Sequence, residues 1–168
     1  DRYTGQTLSV FNAGIAGRQA ADDRERLPGV IRETSPELVI LMEGANDLNS
    51  IQGPSTNAAV DTAVGNMEDM VRHSVGLGLK VMLATLPEQR PDAPKTANRD
   101  LLPRYNDGLR TMAAKKGAIL IDVNVLFPVS LIGVDGLHPT EAGYQKFAEI
   151  FLDAIRERYE VSPAAVLL

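Results

Sequence analysis

Apolar residues along this chain fall into short continuous runs separated by helical stripes. Leu38-Val39-Ile40-Leu41-Met42 is five apolar residues in a row, the pattern of a strand covered on both faces. Lys80 to Thr85 (KVMLAT) and Ala118 to Asp122 (AILID) repeat the pattern, and Thr7 to Asn12 (TLSVFN) predicts a further strand ahead of them. Between the runs, Val60, Val64, Met67, Val71 and Val75 recur at helical spacing and give one buried stripe, which Gly76 and Gly78 end. Arg18 to Arg26 reads as helix, with Pro28 opening a second short turn that Ser35-Pro36 closes. A turn is predicted at Gln52-Gly53-Pro54. Leu86 to Arg99, with Pro87, Pro91 and Pro94, reads as a long loop of the kind that walls a binding site. Pro103 suits the first turn of a helix that turns Tyr105, Leu109 and Met112 inward, with Gly117 as its cap. Thr140 is the expected N-cap of a last helix whose inner face is Tyr144, Ala148, Phe151 and Ile155.

Four strands alternating with helices, without repeats or a linker, predict one domain over residues 1–168. The alternation implies an α/β fold: a parallel sheet with right-handed crossovers and helices on both faces, in three-layer, flavodoxin-like form. In such sheets ligands sit outside the carboxyl ends of the strands. The loops carrying Gly17, Asn46 and His138 all follow strands, so all three are expected on one edge of the sheet.

Composition narrows the chemistry. The chain is 44% hydrophobic, enough for a real core, and its net charge is −5 with no basic block, which argues against nucleic acid as a partner. The absence of cysteine removes disulfides, thiol nucleophiles and cysteine-based zinc sites, and leaves the compartment open. With only His73 and His138, a multi-histidine metal centre is excluded. No apolar run reaches membrane-spanning length. Asn12-Ala13-Gly14-Ile15-Ala16-Gly17 is not a dinucleotide fingerprint, and no Walker-type phosphate loop exists. The chemistry is therefore expected from side chains alone, with no cofactor.

Three segments stand out. Asp135-Gly136-Leu137-His138-Pro139 puts a carboxylate and an imidazole three residues apart in a segment that Gly and Pro keep irregular, so Asp135 can fold back onto one ring nitrogen and leave the other free to take a proton. Glu43-Gly44-Ala45-Asn46-Asp47 follows a strand, and the glycine loop ending at Gly17 follows the first predicted strand. Ordinary readings exist for each. Gly14 fits a plain turn, Gly44 a sharp strand end, Asn46 an Asx-turn and Asp47 a loop-ordering role. His73 fits a solvated helix face, Arg90 and Arg99 solvated loop charges, and Tyr105 and Tyr144 the core. Glu43 either faces the site or merely ends a strand.

In this order and spacing the three segments resemble three of the four blocks of the SGNH hydrolases, also called GDSL-type esterases and lipases, and the resemblance runs from Leu8 onward. It implies that Gly17 and Asn46 supply oxyanion donors and that His138, oriented by Asp135, is the base for a serine. The implied substrate is a small-molecule carboxylic ester, such as an acetylated sugar, a short-chain ester, a lysophospholipid or a thioester. The absence of a long hydrophobic lid favours small polar esters. Relatives of this kind are often bacterial and exported.

The departure is the first block. The resemblance calls for a nucleophile in Gly-Asp-Ser, and none of Ser9, Ser35, Ser50, Ser55, Ser74, Ser130 and Ser162 sits in that context. The expectation is an N-terminally truncated hydrolase lacking one strand and helix, on the order of 30 residues. The missing strand would lie between the first two strands predicted here. Its loss would bare two ladder edges and make the segment alone inactive and poorly soluble. The alternative is a non-catalytic carbohydrate- or partner-binding module on the same fold. A flavodoxin-like nucleotide binder is a third reading, opposed by the missing phosphate loop.

Overall fold

A computed structural model describes residues 9–51, 56–91, 93–95 and 99–159. Three parallel strands, β1 (Leu38–Leu41), β2 (Lys80–Ala84) and β3 (Ile119–Ile121), form a sheet in that order. Leu38 stands opposite Lys80 and Met82 opposite Ile119. Around it run six helices among the described residues: α1 (Ala20–Thr34), α2 (Ala45–Ser50), α3 (Thr56–Gly76), α4 (Leu102–Lys116), α5 (Val123–Leu126) and α6 (Glu141–Tyr159).

The alternation of side chains along β2 divides the core. Val81 and Leu83 point into one cluster with Ala20 of α1, Val60, Met67 and Val71 of α3, and Tyr105, Leu109 and Met112 of α4. Met82 and Ala84 point into the other, with Ile121, Val123, Phe127, Ile132 and Ile150 of α6. The result is the expected three-layer, flavodoxin-like arrangement: α1, α3 and α4, then the sheet, then α6. The stripe predicted for α3 and the inward face predicted for α4 are both buried, apart from Val64, which is half-buried, and Val75 at the frayed end. Pro103 lies in the first turn of α4 and Gly117 caps it at φ +77°.

Four expectations need correction. Of the strand predicted over Thr7 to Asn12, Thr7 and Leu8 lie outside the described residues, and residues 9–12 form no strand; Val10 and Phe11 are largely exposed. A parallel strand needs a ladder to join. Among the described residues β1 pairs with β2 on one side only, so this segment has none. The same open edge leaves Ile40 41% exposed, so β1 is not covered on both faces. Pro28 does not start a new turn but sits inside a continuous α1, whose Ala20, Asp23 and Ile31 are buried. Tertiary burial of that face outweighs one lost backbone bond. The inner face of α6 is also rotated from the one expected. Tyr144 and Ala148 are exposed, while Gly143 and Ile150 are buried and Phe147, Phe151, Ala154 and Ile155 pack partly. Gly143 sets this phase: a side chain there would meet the Leu131 carbonyl at 2.6 Å and the Phe127 ring at 3.2 Å, so the bare backbone is what lets the helix approach. Thr140 caps α6 as expected, its Oγ1 accepting from the Gly143 N–H at 3.1 Å. The turn predicted at Gln52-Gly53-Pro54 lies outside the described residues.

Candidate active site

The loop from Ile132 to Pro139 closes on itself. Ile132 and Pro139 form an antiparallel bridge, the Gly133 N–H donates to the His138 carbonyl at 2.7 Å, and Gly136 turns the chain at φ +87°. Asp135 organises the interior of this turn. Its Oδ1 accepts from the backbone N–H groups of Leu137 (3.1 Å) and His138 (3.0 Å), and its Oδ2 lies 2.6 Å from His138 Nδ1. An ionised carboxylate only accepts, so Nδ1 carries the proton and Nε2 presents a lone pair. The His138 hydrogen bond, then the Leu137 N–H, hold the Asp135 carboxyl well below the usual carboxylate range. Lys95 Nζ stands 3.4 Å from the same Oδ2.

The long loop after β2 is tied to this turn by main chain. The buried Asn106 of α4 clamps its first residue, accepting from the Leu86 N–H and donating to the Leu86 carbonyl, both at 2.9 Å. Further along, the Arg90 N–H donates to the Gly136 carbonyl at 3.0 Å and the Lys95 N–H to the Asp135 carbonyl at 2.9 Å.

Asn46 stands in the first turn of α2, entered through Gly44 at φ +108°. Its Nδ2 donates to the Arg18 carbonyl at 2.8 Å, a contact 28 residues back in the chain. Asn46 is therefore no local turn former. It ties the glycine loop to the end of β1 and keeps a second amide hydrogen. Beside it, Asp47 Oδ2 accepts from the Ala20 N–H at 2.9 Å, at the start of α1. Gly17 turns at φ +82°, and among the described residues its N–H has no acceptor.

Asn46 and His138 line one cavity of about 330 Å³, together with Asn49, Pro94, Lys95 and Leu137. Three sequence-predicted residues are thus brought together, Asp135 reaching the cavity through His138. Gly17 does not line it; it lies next to the Arg18 carbonyl that Asn46 holds. Among the described residues no serine lines the cavity. Ser50 Oγ accepts from Gln19 Nε2 and donates to the Asp47 carbonyl, while Ser55 and Ser162 lie outside the described residues. Among the described residues no group of three or more His, Asp or Glu is placed to hold a metal ion, and no helix is long and apolar enough to cross a membrane.

Glu43, at the carboxyl end of β1, has two readings in the sequence, and its surroundings choose between them. Its carboxyl meets Asp23 and is pushed up to about 8 by its burial and then by the Asp23 charge. The only sequence signal for it is an acidic residue directly after an apolar run.

Comparison with known protein families matches residues 1–146 to the GDSL-like lipase/acylhydrolase family. The chain belongs to that family. This GDSL-like chain is 25% identical over 161 residues to a multidomain esterase of Ruminococcus flavefaciens, a match covering 91% of this chain. It spans only 20% of that relative's length. Its fold is similar to that of the lipase/acylhydrolase from Enterococcus faecalis, with a TM-score of 0.77, 23% identity, and coverage of 94% of this chain and 80% of the other. It is also similar in fold to the acetylxylan esterase Axe2 from Geobacillus stearothermophilus, with a TM-score of 0.70, 21% identity, and coverage of 86% and 70% respectively. The GDSL-like family is one of ester hydrolases, and the three-layer sheet found here is its fold.

Proposed function

We propose that this chain is the larger part of an SGNH-type serine esterase that cleaves a small polar carboxylic ester through an acyl-enzyme. The observation that carries the reading is the 2.6 Å contact between Asp135 Oδ2 and His138 Nδ1, made by an imidazole that shares a cavity wall with Asn46. His138 Nε2 takes the proton of the serine as its oxygen attacks the ester carbonyl, and returns it to the leaving alkoxide. Asp135 holds the tautomer and stabilises the imidazolium that forms. The second Asn46 amide hydrogen receives the developing oxyanion, one such donor contributing about 3 kcal/mol, and the Gly17 N–H, one residue from the Arg18 carbonyl that Asn46 holds, is the second donor, brought in from beside the cavity. Water then attacks the acyl-serine by the same route in reverse, releasing the acid.

The nucleophilic serine is contributed by chain outside these 168 residues, on a strand that pairs with the open edge of β1. That no described serine lines the cavity and that Ile40 is exposed on that edge support this. The 168-residue segment alone is then inactive. The amide and ammonium groups of Asn46, Asn49 and Lys95 around a cavity of about 330 Å³ favour an acetyl or other short acyl ester of a polar alcohol, in keeping with the acetylxylan esterases among the fold neighbours.

An organophosphonate probe tests the reading. With the upstream segment restored, one serine should be labelled, and His138→Ala should abolish labelling. The segment alone should stay unlabelled. Absence of labelling in the restored protein would refute the esterase reading. That no described serine lines the cavity also favours a second reading, a non-catalytic binding module; its sign would be carbohydrate or protein affinity, and no labelling, in the restored protein.

A further inference from the structure

Behind Asn46 lies a cluster of carboxyl groups that the proposed reaction does not use. Asp23 of α1 is 5% exposed. Arg26 satisfies its Oδ1, through Nε at 2.8 Å and Nη2 at 2.6 Å. Its Oδ2 is buried and has no donor. Glu43 comes within hydrogen-bonding reach of Asp23, and both groups are acceptors when ionised. Two charged carboxylates in that contact would repel, and the buried Oδ2 would stay unsatisfied. One proton would resolve both problems: a neutral Glu43 carboxyl would have an O–H to donate to Asp23, whose buried Oδ2 lacks a donor.

The pair sits where the parts of the proposed oxyanion site meet. Arg26, held by Asp23, donates through Nη2 to the Ala13 carbonyl at 2.7 Å, inside the glycine loop. Asp47, next on the chain to Asn46, grips the first residue of α1, and Asn46 grips Arg18. The Tyr105 hydroxyl of α4 donates to the Glu43 carbonyl at 3.0 Å. We propose that Glu43, packed against the Asp23–Arg26 pair that grips the Ala13 carbonyl, is a positioning residue that keeps the loop of Gly17 in register with Asn46. The inference rests on the oxyanion roles given to Gly17 and Asn46 above.

The groups facing Glu43 set the direction of its response to pH. Asp23 and Arg26 face it from α1, Asp47 from α2 and the Tyr105 hydroxyl from α4, and Asp22 adds negative charge beside Asp47. Arg26 is the cation in this set, and Asp23 already engages it. Loss of the Glu43 proton, on rising through about pH 8, puts a new negative charge against Asp23 and Asp47. That charge competes for Arg26 and draws it from the Ala13 carbonyl. The glycine loop then loosens relative to α2.

Nuclear magnetic resonance of the isotope-labelled protein, with the upstream segment restored, tests this without any turnover. The Glu43 side-chain carboxyl carbon should titrate with a midpoint near 8. The backbone amides of Gly17 and Arg18 and the Asn46 side-chain amide should move with the same midpoint. In Glu43→Gln the amide N–H donates to Asp23 Oδ2 as the acid does, so these signals should hold their wild-type low-pH positions and stay still from about pH 6.5 to 9.5, the span around the Glu43 midpoint. A Glu43 midpoint in the ordinary carboxyl range overturns the proposal. So does the same movement of Gly17 and Asn46 in Glu43→Gln, which would trace it to another group. Should Glu43→Gln not fold, the wild-type titration of Glu43 together with Gly17 decides alone. Failure here leaves serine labelling unaffected, and failure of labelling leaves this titration intact, so the two readings fall separately.

Discussion

Replacing Gly44 by alanine should be among the most damaging single-methyl additions to this chain. Two costs combine. The residue sits at φ +108°, ψ −13°, where an L side chain is strained by roughly 1–2 kcal/mol. The added Cβ would also overlap the Tyr105 hydroxyl and ring, with ring carbon Cε1 only 2.7 Å away. Tyr105 cannot yield cheaply. It is fully buried in the α1/α3/α4 core, and its hydroxyl is committed to the Glu43 carbonyl. Displacing it adds an overpacking cost of about 1–3 kcal/mol. The total is ~2–5 kcal/mol, a large share of the stability of a domain this size. Urea denaturation of wild type, Gly44→Ala, Tyr105→Ala and the double variant separates the two costs. The clash disappears in the Tyr105→Ala background and the backbone strain does not. The Gly44 substitution should therefore cost only ~1–2 kcal/mol there. A Gly44→Ala protein within about 1 kcal/mol of wild type would refute the reasoning.

Two other measurements probe the same physics elsewhere. Gly65, exposed in the interior of α3, has open space where an added methyl group would stand, so Gly65→Ala should raise stability by about 0.5–1 kcal/mol. At Gly108 of α4 such a methyl would come within 2.7 Å of Val64 of α3, and Gly108→Ala should lower stability despite the same gain in helix propensity. The reverse order of the two in urea midpoints would contradict the α3–α4 packing. Glu43 predicts a pH dependence as well. Between the ordinary carboxyl value of 4.5 and about 8 the folded chain keeps a proton that the unfolded chain releases. This group's contribution to stability therefore falls as pH rises across that window and levels off above it. At about 1.4 kcal/mol per pH unit, and allowing for the solvent that reaches a partly buried carboxyl, the fall is ~2–3 kcal/mol. The stability difference between wild type and Glu43→Gln should trace this decline, and a difference independent of pH would contradict it.

Some of these features are legible in the sequence because their causes are local. Three apolar runs became the three paired strands, since a continuous β-branched and aliphatic run leaves water by pairing into a sheet. The Asp135–His138 contact is legible because three residues and a glycine suffice to close it. What is illegible depends on distant partners. Val10 and Phe11 have the composition of a strand, but a strand exists only beside another. Pro28 carries a local stop signal that the buried Ala20, Asp23 and Ile31 face overrides. The rotation of α6 is fixed by the closeness of Gly143 to Leu131 and Phe127, and periodicity alone cannot rank Tyr144 against Phe147. Asn46 fits a turn former in one dimension; only the contact with Arg18 shows its amide reaching beyond its own turn. The role of Glu43 needs Asp23 from another helix.

Pro94 and Lys95, which line the cavity, belong to a loop that reaches the His138 turn through peptide groups, with the N–H groups of Arg90 and Lys95 on the carbonyls of Gly136 and Asp135. Bonds of that kind are indifferent to which side chains the loop carries. On the proposed esterase reading, the side chain at Pro94 is therefore a position where substrate preference can be changed while the acid–imidazole geometry stays put; Lys95, whose ammonium also meets Asp135, is not. On that reading the fold would separate what it recognises from how it reacts, so that a small scaffold could diversify without relearning its chemistry.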